Sequence, residues 1–272
     1  MASRSSRPLA ERLPAPVRAA LANAVWVLVW GRSSRARRLV SLREYLRLRG
    51  VARAPAGGPP VEVRVAPIPA VPVRLRPGTS DVQVLFDTFV GMDHLPPSGP
   101  APAVVWDLGA NLGLTMADFA QRWPAARITG LEPQPALADE ARRLVAGFGP
   151  RCRVEQAAMW TTDGTVSFTV HTGDEFGGHV TAAPGEGYDV PALSLDTLLA
   201  RTGPVDYVKM DIEGAEATVL REHTGWARDV AMIKVECHGD YDAQACARDL
   251  QALGFTTHVD THHWSCVLGR RV

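Results

Sequence analysis

Apolar and polar positions follow two different periods along the second half of the chain. Residues 103–108 form an almost continuous apolar run, which is typical of a strand buried on both faces, and further strands are expected at residues 127–131, 152–156, 205–210 and 230–236. Between them, apolar residues recur at helical spacing over residues 112–123, 135–146, 216–222 and 243–253. Repeated strand–helix units predict a mostly parallel sheet with helices on both faces, which is a Rossmann-like α/β fold.

The end of the chain departs from this alternation. Residues 255–259 and 264–268 predict two strands of a hairpin, which would add an antiparallel strand to the sheet. A further strand is expected at residues 164–170. Residues 171–189 are a polar, glycine-rich insertion, and long loops of this composition are often lids over a substrate.

The N-terminal segment is apolar over a short stretch and then strongly basic. Residues 19–31 are apolar and lie between Arg18 and Arg32. They are fewer than the roughly 20 residues that span a bilayer. A basic amphipathic stretch follows at residues 32–49. This pattern predicts helices and no membrane span.

A Pro/Gly-rich stretch at residues 54–70 is typical of a linker with a short extended piece, so we expect a helical extension over residues 1–70 and a main domain over residues 71–272. The extension is expected to pack on the main domain or on a partner, including a second copy of the chain. Two alternatives stay open. Trp26 and Trp30 beside the arginines suit peripheral contact with a membrane, and the apolar run also allows a secretion signal.

Composition limits the classes of partner and compartment. Basic and acidic residues balance at 29 each, which argues against bulk nucleic-acid binding, because that needs a clear basic excess. None of the four cysteines pairs with another at C-x-x-C spacing. The cysteines are therefore expected to be reduced and mostly buried thiols in a cytoplasmic protein.

The stretch VVWDLGANLGL, residues 104–114, joins the first core strand to the first core helix. Gly109 and Gly113 allow a ligand to approach the backbone closely. A dinucleotide fold would place glycine where Asn111 stands, and Asp107 would repel a pyrophosphate. A phosphate-binding P-loop is excluded because no Gly-Lys-Ser/Thr follows. The turn thus favours a ligand that carries positive charge.

A second acid, Glu132, ends the second core strand, where a carboxylate can accept both ribose hydroxyls of an adenosine. An adenosine with a cationic, amino-acid-like end is S-adenosylmethionine, which is the predicted cofactor. A tight strand–helix connection without a ligand is the structural alternative for the turn alone. The residues assigned to the cofactor on this basis are Asp107, Gly109, Asn111, Gly113 and Glu132.

These motifs resemble those of a known family. The D-x-G-x-N-x-G turn followed by a strand-end glutamate resembles class I methyltransferases, as does the C-terminal hairpin. LSLDTLLA at residues 193–200, VDYVKMDIEGAEATVL at 205–220 and IKVECHG at 233–239 resemble the FkbM family of methyltransferases. The resemblance implies methylation of a hydroxyl on a small molecule such as a sugar or a polyketide-type natural product. It also implies that Ala157, after the third core strand, lies against adenine.

Methyl transfer to a hydroxyl requires a group that takes the proton. Two predicted strands end in polar clusters that should meet at one edge of the sheet. His238 is the favoured base, because its ordinary pKa is near neutral. Asp211 is expected beside the methionyl part of the cofactor or against the acceptor. Glu213 and Glu236 could hold acceptor hydroxyls, or one of them could be the base.

Other interpretations of these clusters stay open. His238 could be a strand-end histidine tied to a carboxylate. Asp211, Glu213 and Glu236 could instead bind Mg²⁺, which prefers oxygen ligands. The acceptor atom could be nitrogen or a carboxylate oxygen, or the chain could be a non-catalytic partner-binding protein.

Three further polar positions are assigned structural roles. Glu216 is expected to face the first turn of a helix, where the dipole favours an acid. Asp196 is expected to cap the helix that follows it. His262 and His263 are expected at an exposed hairpin tip.

Overall fold

The computed structural model of the protein describes residues 31–170, 178–181, 187–260, 263 and 265–271. Two helices open this part of the chain, α1 (Ser34–Leu39) and α2 (Leu42–Arg53). Each begins at a serine, Ser33 or Ser41, whose side chain accepts a hydrogen bond from a backbone amide of the first turn.

An antiparallel pair of strands and a third helix connect these helices to the main sheet. The strands are β1 (Val61–Val63) and β2 (Val73–Leu75), and the helix is α3 (Asp81–Phe86), which continues as a π-helical turn at Asp87–Gly91. The short extended piece expected within residues 54–70 is strand β1.

The remaining elements follow the expected alternation of strands and helices on both sides of residues 152–193, where five strands succeed one another. In chain order they are β3 (Val104–Leu108), α4 (Leu114–Arg122), β4 (Arg127–Leu131), α5 (Pro135–Val145), β5 (Cys152–Glu155), β6 (Ala158–Met159), β7 (Gly164–Val170), β8 (Gly178–Thr181), β9 (Tyr188–Leu193), α6 (Leu195–Thr202), β10 (Tyr207–Met210), α7 (Glu216–Arg221), β11 (Met232–Glu236), α8 (Ala243–Ala252), β12 (Thr256–Val259) and β13 (Cys266–Arg270).

The central sheet has seven strands in the order β12-β13-β11-β10-β3-β4-β5. Strands β5, β4, β3, β10 and β11 pair in parallel, and β13 lies antiparallel between β11 and β12. The prediction of a mostly parallel sheet with a C-terminal antiparallel hairpin is confirmed.

A second, four-stranded sheet has the order β6-β9-β7-β8. Its strands β8 and β9 use part of the insertion predicted to be a loop. Residues 171–177 and 182–186 of that insertion lie outside the described residues, and so does the predicted lid.

The alternation of strand side chains divides the core between the two faces of the central sheet. Trp106 and Leu108 of β3 belong to a buried cluster that includes residues of α6, α7 and α8. Val105 of β3 and Tyr207 of β10 belong to a cluster on the opposite side, with Phe119 of α4. Asp107 alternates with Trp106, so this acid lies on the α4 side of the sheet.

The N-terminal extension shares a hydrophobic cluster with the main domain. Leu39 and Leu48 of the first two helices are buried together with Leu75, Leu114 and Leu137. The described part of the extension therefore packs on α4 and α5, and packing is continuous across the boundary expected at residue 70. None of the described helices is long and apolar enough to cross a membrane.

Local predictions for a helix cap and for the cysteines have different outcomes. The prediction that Asp196 caps α6 is wrong, because the Ser194 side chain accepts the amide of Thr197 and Asp196 lies in the first turn. The four cysteines are free thiols, and Cys237 is the only one that is not fully buried, as expected.

A glycine sets the start of α4. Gly113 has φ +78°, and a Cβ atom there would lie 2.9 Å from the Cα and Cβ atoms of Ala141 in α5. The position therefore combines a left-handed backbone with close packing of two helices. The predicted helix over residues 112–123 starts two residues later for this reason.

We expect Gly113→Ala to lower the free energy of unfolding by about 2–5 kcal/mol, from backbone strain and overpacking together. Urea denaturation measures the change. Gly57→Ala is the matched control, because Gly57 has φ +88° and a Cβ atom there would have no neighbouring atom within 4 Å. It should cost only about 1–2 kcal/mol. Equal losses in the two variants would contradict a role for the α4–α5 contact.

Candidate active site

A cavity of about 520 Å³ opens at the carboxyl ends of β3, β4, β10 and β11. Parallel sheets place ligands at this edge, and the volume lies in the ordinary range for a small-molecule site. The π-helical turn after α3 closes the opposite side through Asp87 and Thr88. The cavity is thus formed between the main sheet and the segment that leads into it.

Gly109 brings two strand ends into contact. Its φ is +84°, and a Cβ atom there would lie 1.8 Å from the backbone oxygen of Asp211. The amides of Gly109 and Ala110 both donate to the Leu131 carbonyl, at 3.0 and 2.8 Å. The turn is therefore held between β4 and β10, and Gly109 lines the cavity.

The two glycines of the turn have different roles. Gly109 is required where two backbones approach, whereas Gly113 is outside the cavity lining and packs α4 against α5. Gly113 was predicted to contact the cofactor. In the structure it affects the cavity only indirectly, because it fixes the position of α4.

Glu132 is anchored by the turn it faces. Its Oε2 accepts the Asn111 amide and its Oε1 accepts the Gln134 amide, each at 2.8 Å. Burial raises the pKa of Glu132 to about 7, although both amides lower it. A carboxylate has lone pairs beyond these two bonds, so Glu132 can still accept hydroxyl groups of a ligand in the cavity.

Asn111 and Ala157 also lie where the prediction placed them. Asn111 has φ +48°, and its Oδ1 accepts the Leu112 amide at 2.8 Å, which holds the turn open. Both residues line the cavity together with Glu132. The residues therefore fit an adenosine: a backbone turn, a buried carboxylate for the ribose and a small side chain for the base.

Lys209 was missed by sequence reasoning and occupies the centre of the site. Its Nζ lies 2.9 Å from Asp211 Oδ2 and 3.7 Å from Asp107 Oδ1. Burial lowers the pKa of Lys209, but Asp211 and Asp107 outweigh this effect and hold it above its ordinary value. The available signal was a lysine inside the otherwise apolar strand YVKM.

Asp107 lies beneath the cavity and is fully buried. Burial raises its pKa to about 6, against the lowering effect of Lys209. The cation nearest to Asp107 is therefore a residue of the chain itself. Any effect of Asp107 on a charged ligand would act through Lys209 or through the field of the site.

His238 lies among three carboxylates, two of which were predicted. Its Nδ1 is 2.8 Å from Glu216 Oε1, and its Nε2 is 3.6 Å from Asp211 Oδ1 and 3.5 Å from Glu213 Oε2. Burial lowers the pKa of His238, but the hydrogen bond with Glu216 and the charges of Asp211, Glu216 and Glu213 raise it to about 9. The imidazole is therefore cationic at neutral pH before a cationic ligand binds.

Glu216 does more than the sequence suggested. It does lie in the first turn of α7, but its buried carboxylate accepts the amides of Ile212 and Gly214 and also orients His238. The expected place of Glu216 in the first turn of the helix is confirmed, and its side chain in addition bridges the strand-end turn and the imidazole.

Glu213 is held in an unfavourable backbone conformation. Its φ is +53°, which is uncommon for a residue with a side chain. Burial and the neighbouring Asp211 raise the pKa of Glu213 to about 8. Strained backbone of this kind is found where the surrounding structure fixes a functional side chain.

Glu236 lines the same cavity but belongs to a different group of side chains. His263 Nε2 lies 3.8 Å from Glu236 Oε1, and His263 Nδ1 lies 3.3 Å from Cys266 Sγ. His263 also lines the cavity, so the expectation of an exposed hairpin tip is wrong for this residue. His262 lies outside the described residues.

The grouping of these side chains bears on the Mg²⁺ hypothesis. Asp211 and Glu213 converge with His238, while Glu236 converges with His263 and Cys266. The predicted all-carboxylate set is thus divided between two places. Asp211 is in addition paired with the Lys209 ammonium, which leaves less negative charge for a metal. The three carboxylates therefore do not come together as the set of oxygen ligands that Mg²⁺ prefers.

The segment before β3 contributes a further residue that sequence reasoning missed. His94 lines the cavity, and its Nε2 lies 2.9 Å from Asp118 Oδ2 of α4. Burial lowers the pKa of His94, although Asp118 raises it. No motif distinguished this histidine, because its partner lies 24 positions away.

The order of the central sheet, the glycine turn at its middle and the glutamate on the next strand define a class I S-adenosylmethionine-dependent methyltransferase. The model of the Methyltransferase FkbM domain matches residues 107–265, which is more than half of the chain. The chain belongs to the FkbM methyltransferase family.

Individual relatives are similar over smaller parts. Trans-aconitate 2-methyltransferase of Escherichia coli is 45% identical over 53 residues, which cover 20% of this chain and 19% of that protein. The match thus spans about a fifth of the curated relative.

Solved structures of other methyltransferases are similar to this chain at low identity. An O-methyltransferase family protein from Burkholderia thailandensis is 12% identical, covers 71% of this chain and 58% of that one, and has a TM-score of 0.45. The sugar N-methyltransferase KedS8 from a Streptoalloteichus species is 13% identical. The match covers 63% of this chain and 81% of that one, with a TM-score of 0.37.

We expect Glu132→Gln to weaken S-adenosylmethionine binding roughly 10- to 100-fold, because a buried charged acceptor is lost. In the native protein, affinity should rise as pH passes upward through about 7, since the carboxylate that accepts ribose hydroxyls forms there. Calorimetry at several pH values measures both effects. Glu155→Gln is the control, because Glu155 ends the adjacent strand but lies outside the cavity lining. An unchanged affinity in Glu132→Gln would reject this cofactor site.

The arrangement of the possible metal ligands also predicts the effect of metal removal. Excess EDTA should leave cofactor affinity unchanged, and added Mg²⁺ should not strengthen it, because Lys209 already compensates Asp211. The same titration in the two conditions checks this. A metal-dependent affinity that disappears in Glu213→Gln would restore the magnesium hypothesis.

Proposed function

We propose that this methyltransferase acts on a hydroxyl group of a small molecule, such as a sugar or a polyketide-type natural product. The observation that carries the proposal is the position of His238, with Asp211, Glu213 and Glu216 around it, directly beside the cofactor turn. A hydroxyl must lose a proton during methyl transfer, and this group of residues can receive one.

The cofactor end of the site is formed by the chain's own backbone and acids. Gly109 leaves room for close approach, and Glu132 offers its carboxylate to ribose hydroxyls. S-adenosylmethionine, when bound, supplies the methyl group and a positively charged leaving group. Asp211 lines the cavity and its backbone oxygen lies against Gly109, which places this acid near the region where that positive charge would lie.

The surroundings of His238 support its proposed role as the group that accepts the proton. Glu216 holds Nδ1 at 2.8 Å, so Nε2 is the nitrogen directed at Asp211 and Glu213. A pKa of about 9 means that the free imidazole is mostly protonated at neutral pH. A bound sulfonium cation would lower that pKa, because like charges disfavour each other, and would release the imidazole to act as a base.

The acceptor side of the cavity supports a hydroxylated substrate. Asp87, Asp93 and Glu236 line it, and carboxylates accept hydrogen bonds from hydroxyl groups. Asp87 belongs to the π-helical turn, Asp93 follows that turn and Glu236 ends β11. Several hydroxyls of one small molecule could therefore be held while one of them is presented to His238.

We expect His238→Gln to lower kcat by roughly 10²- to 10⁴-fold. S-adenosylmethionine should bind the variant at least as tightly at neutral pH, because the cationic imidazole that opposes the sulfonium is gone. The rate of the native enzyme should rise with pH as the imidazole loses its proton. This rising limb of the pH–rate profile should be absent in the variant. Glu216→Gln should move the limb to lower pH, because the carboxylate raises the pKa of His238.

The matched control is His258→Gln, since His258 is an exposed residue of β12. Mass spectrometry and NMR of the product locate the methyl group. A methyl group on nitrogen, or an unchanged pH profile in Glu216→Gln, would contradict hydroxyl methylation by this group of residues.

A further inference from the structure

The first two described helices carry a concentration of positive charge that the active site does not use. Seven arginines between residues 31 and 53 are exposed, and Glu44 is the single acid in that range. The whole chain has a formal net charge of zero, so this charge is segregated. We call these residues the arginine patch: Arg32, Arg35, Arg37, Arg38, Arg43, Arg47 and Arg53.

The helices that carry the arginine patch are packed against the main domain. Leu39 and Leu48 of the same helices are almost fully buried in the cluster shared with the main domain. Serine caps fix the first turns of both helices. The charges are therefore presented by an ordered surface.

The arginine patch also borders the active-site cavity. Arg35 Nη1 donates to the Val90 carbonyl at 2.7 Å. Val90 belongs to the π-helical turn, whose Asp87 and Thr88 line the cavity. A surface bound by the patch would consequently lie close to the side of the cavity that faces the acceptor.

The chemistry around the patch favours a lipid surface over a nucleic acid. Residues 19–31, which directly precede it in sequence, are apolar and contain Trp26 and Trp30. Basic residues next to an apolar, tryptophan-containing stretch are characteristic of segments that bind at the membrane interface. Binding of single-stranded nucleic acid uses exposed aromatic rings, whereas Tyr45, the aromatic residue of the two described helices, is buried.

We propose that the arginine patch binds the surface of a membrane that contains anionic phospholipids, and thereby holds the acceptor side of the cavity next to that surface. Arginines near an anionic leaflet attract its headgroups, and the attraction decreases within a Debye length. Affinity should therefore depend on lipid charge and on salt.

The test uses the full chain and vesicles of phosphatidylcholine, with or without phosphatidylserine, in a cosedimentation assay. Binding should require phosphatidylserine and weaken as salt rises. The variant Arg37→Glu/Arg38→Glu/Arg43→Glu should lose binding on the order of 100-fold or more, at roughly fivefold for each arginine. The milder triple change to Gln should lose less.

The control is Arg153→Glu/Arg228→Glu/Arg248→Glu, which changes the same charge at three exposed arginines outside the patch. Cofactor binding by calorimetry reports whether each variant is folded. Retained cofactor binding with lost vesicle binding in the patch variant alone supports the proposal.

Three results would overturn it. They are equal binding to neutral and anionic vesicles, equal loss in the control variant, and binding of a DNA or RNA oligonucleotide without binding of anionic vesicles at the same salt. The test does not depend on the proposed hydroxyl methylation, so failure of one leaves the other standing.

Discussion

The close passage of Gly109 against the backbone of Asp211 is the constraint on which the rest of the site depends. A Cβ atom at residue 109 would lie 1.8 Å from the Asp211 oxygen, so no side chain can occupy this position unless the strand ends separate. The contact puts the turn after β3 beside the turn after β10. The first turn lines the cavity beside Glu132, and the second turn carries Asp211 and Glu213. This one contact therefore places the proposed cofactor side and the proposed acid–base side next to each other.

Charge is the second organising influence. Six carboxylates line the cavity, namely Asp87, Asp93, Glu132, Asp211, Glu213 and Glu236, while Lys209 and Lys234 are its lysines. Burial and mutual repulsion raise the pKa of Glu132 and of Glu213. A cavity of this kind favours a positively charged ligand, since each added positive charge relieves repulsion. Lys209 lies close to both Asp107 and Asp211, and its positive charge offsets the repulsion between their carboxylates.

The N-terminal helices connect this site to the surface of the molecule. Their apolar side completes a cluster with α4 and α5, and the π-helical turn that follows them closes the cavity. One sequence segment thus stabilises the domain, shapes the acceptor side and presents a basic surface. This arrangement explains why a separate domain boundary at residue 70 has no counterpart in the packing.

The sequence by itself determined the strands and helices of the central sheet, its parallel pairing with the antiparallel end, and the turn with Glu132. These follow from local information, because apolar periodicity, glycine positions and strand-end acids are all read within a few residues. Only the tertiary structure decided which side chains meet. Lys209 reaches Asp107, Glu216 reaches His238 across 22 positions, and Glu236 separates from Asp211 and Glu213. Such contacts depend on strand register, burial and backbone strain, which a linear pattern does not contain.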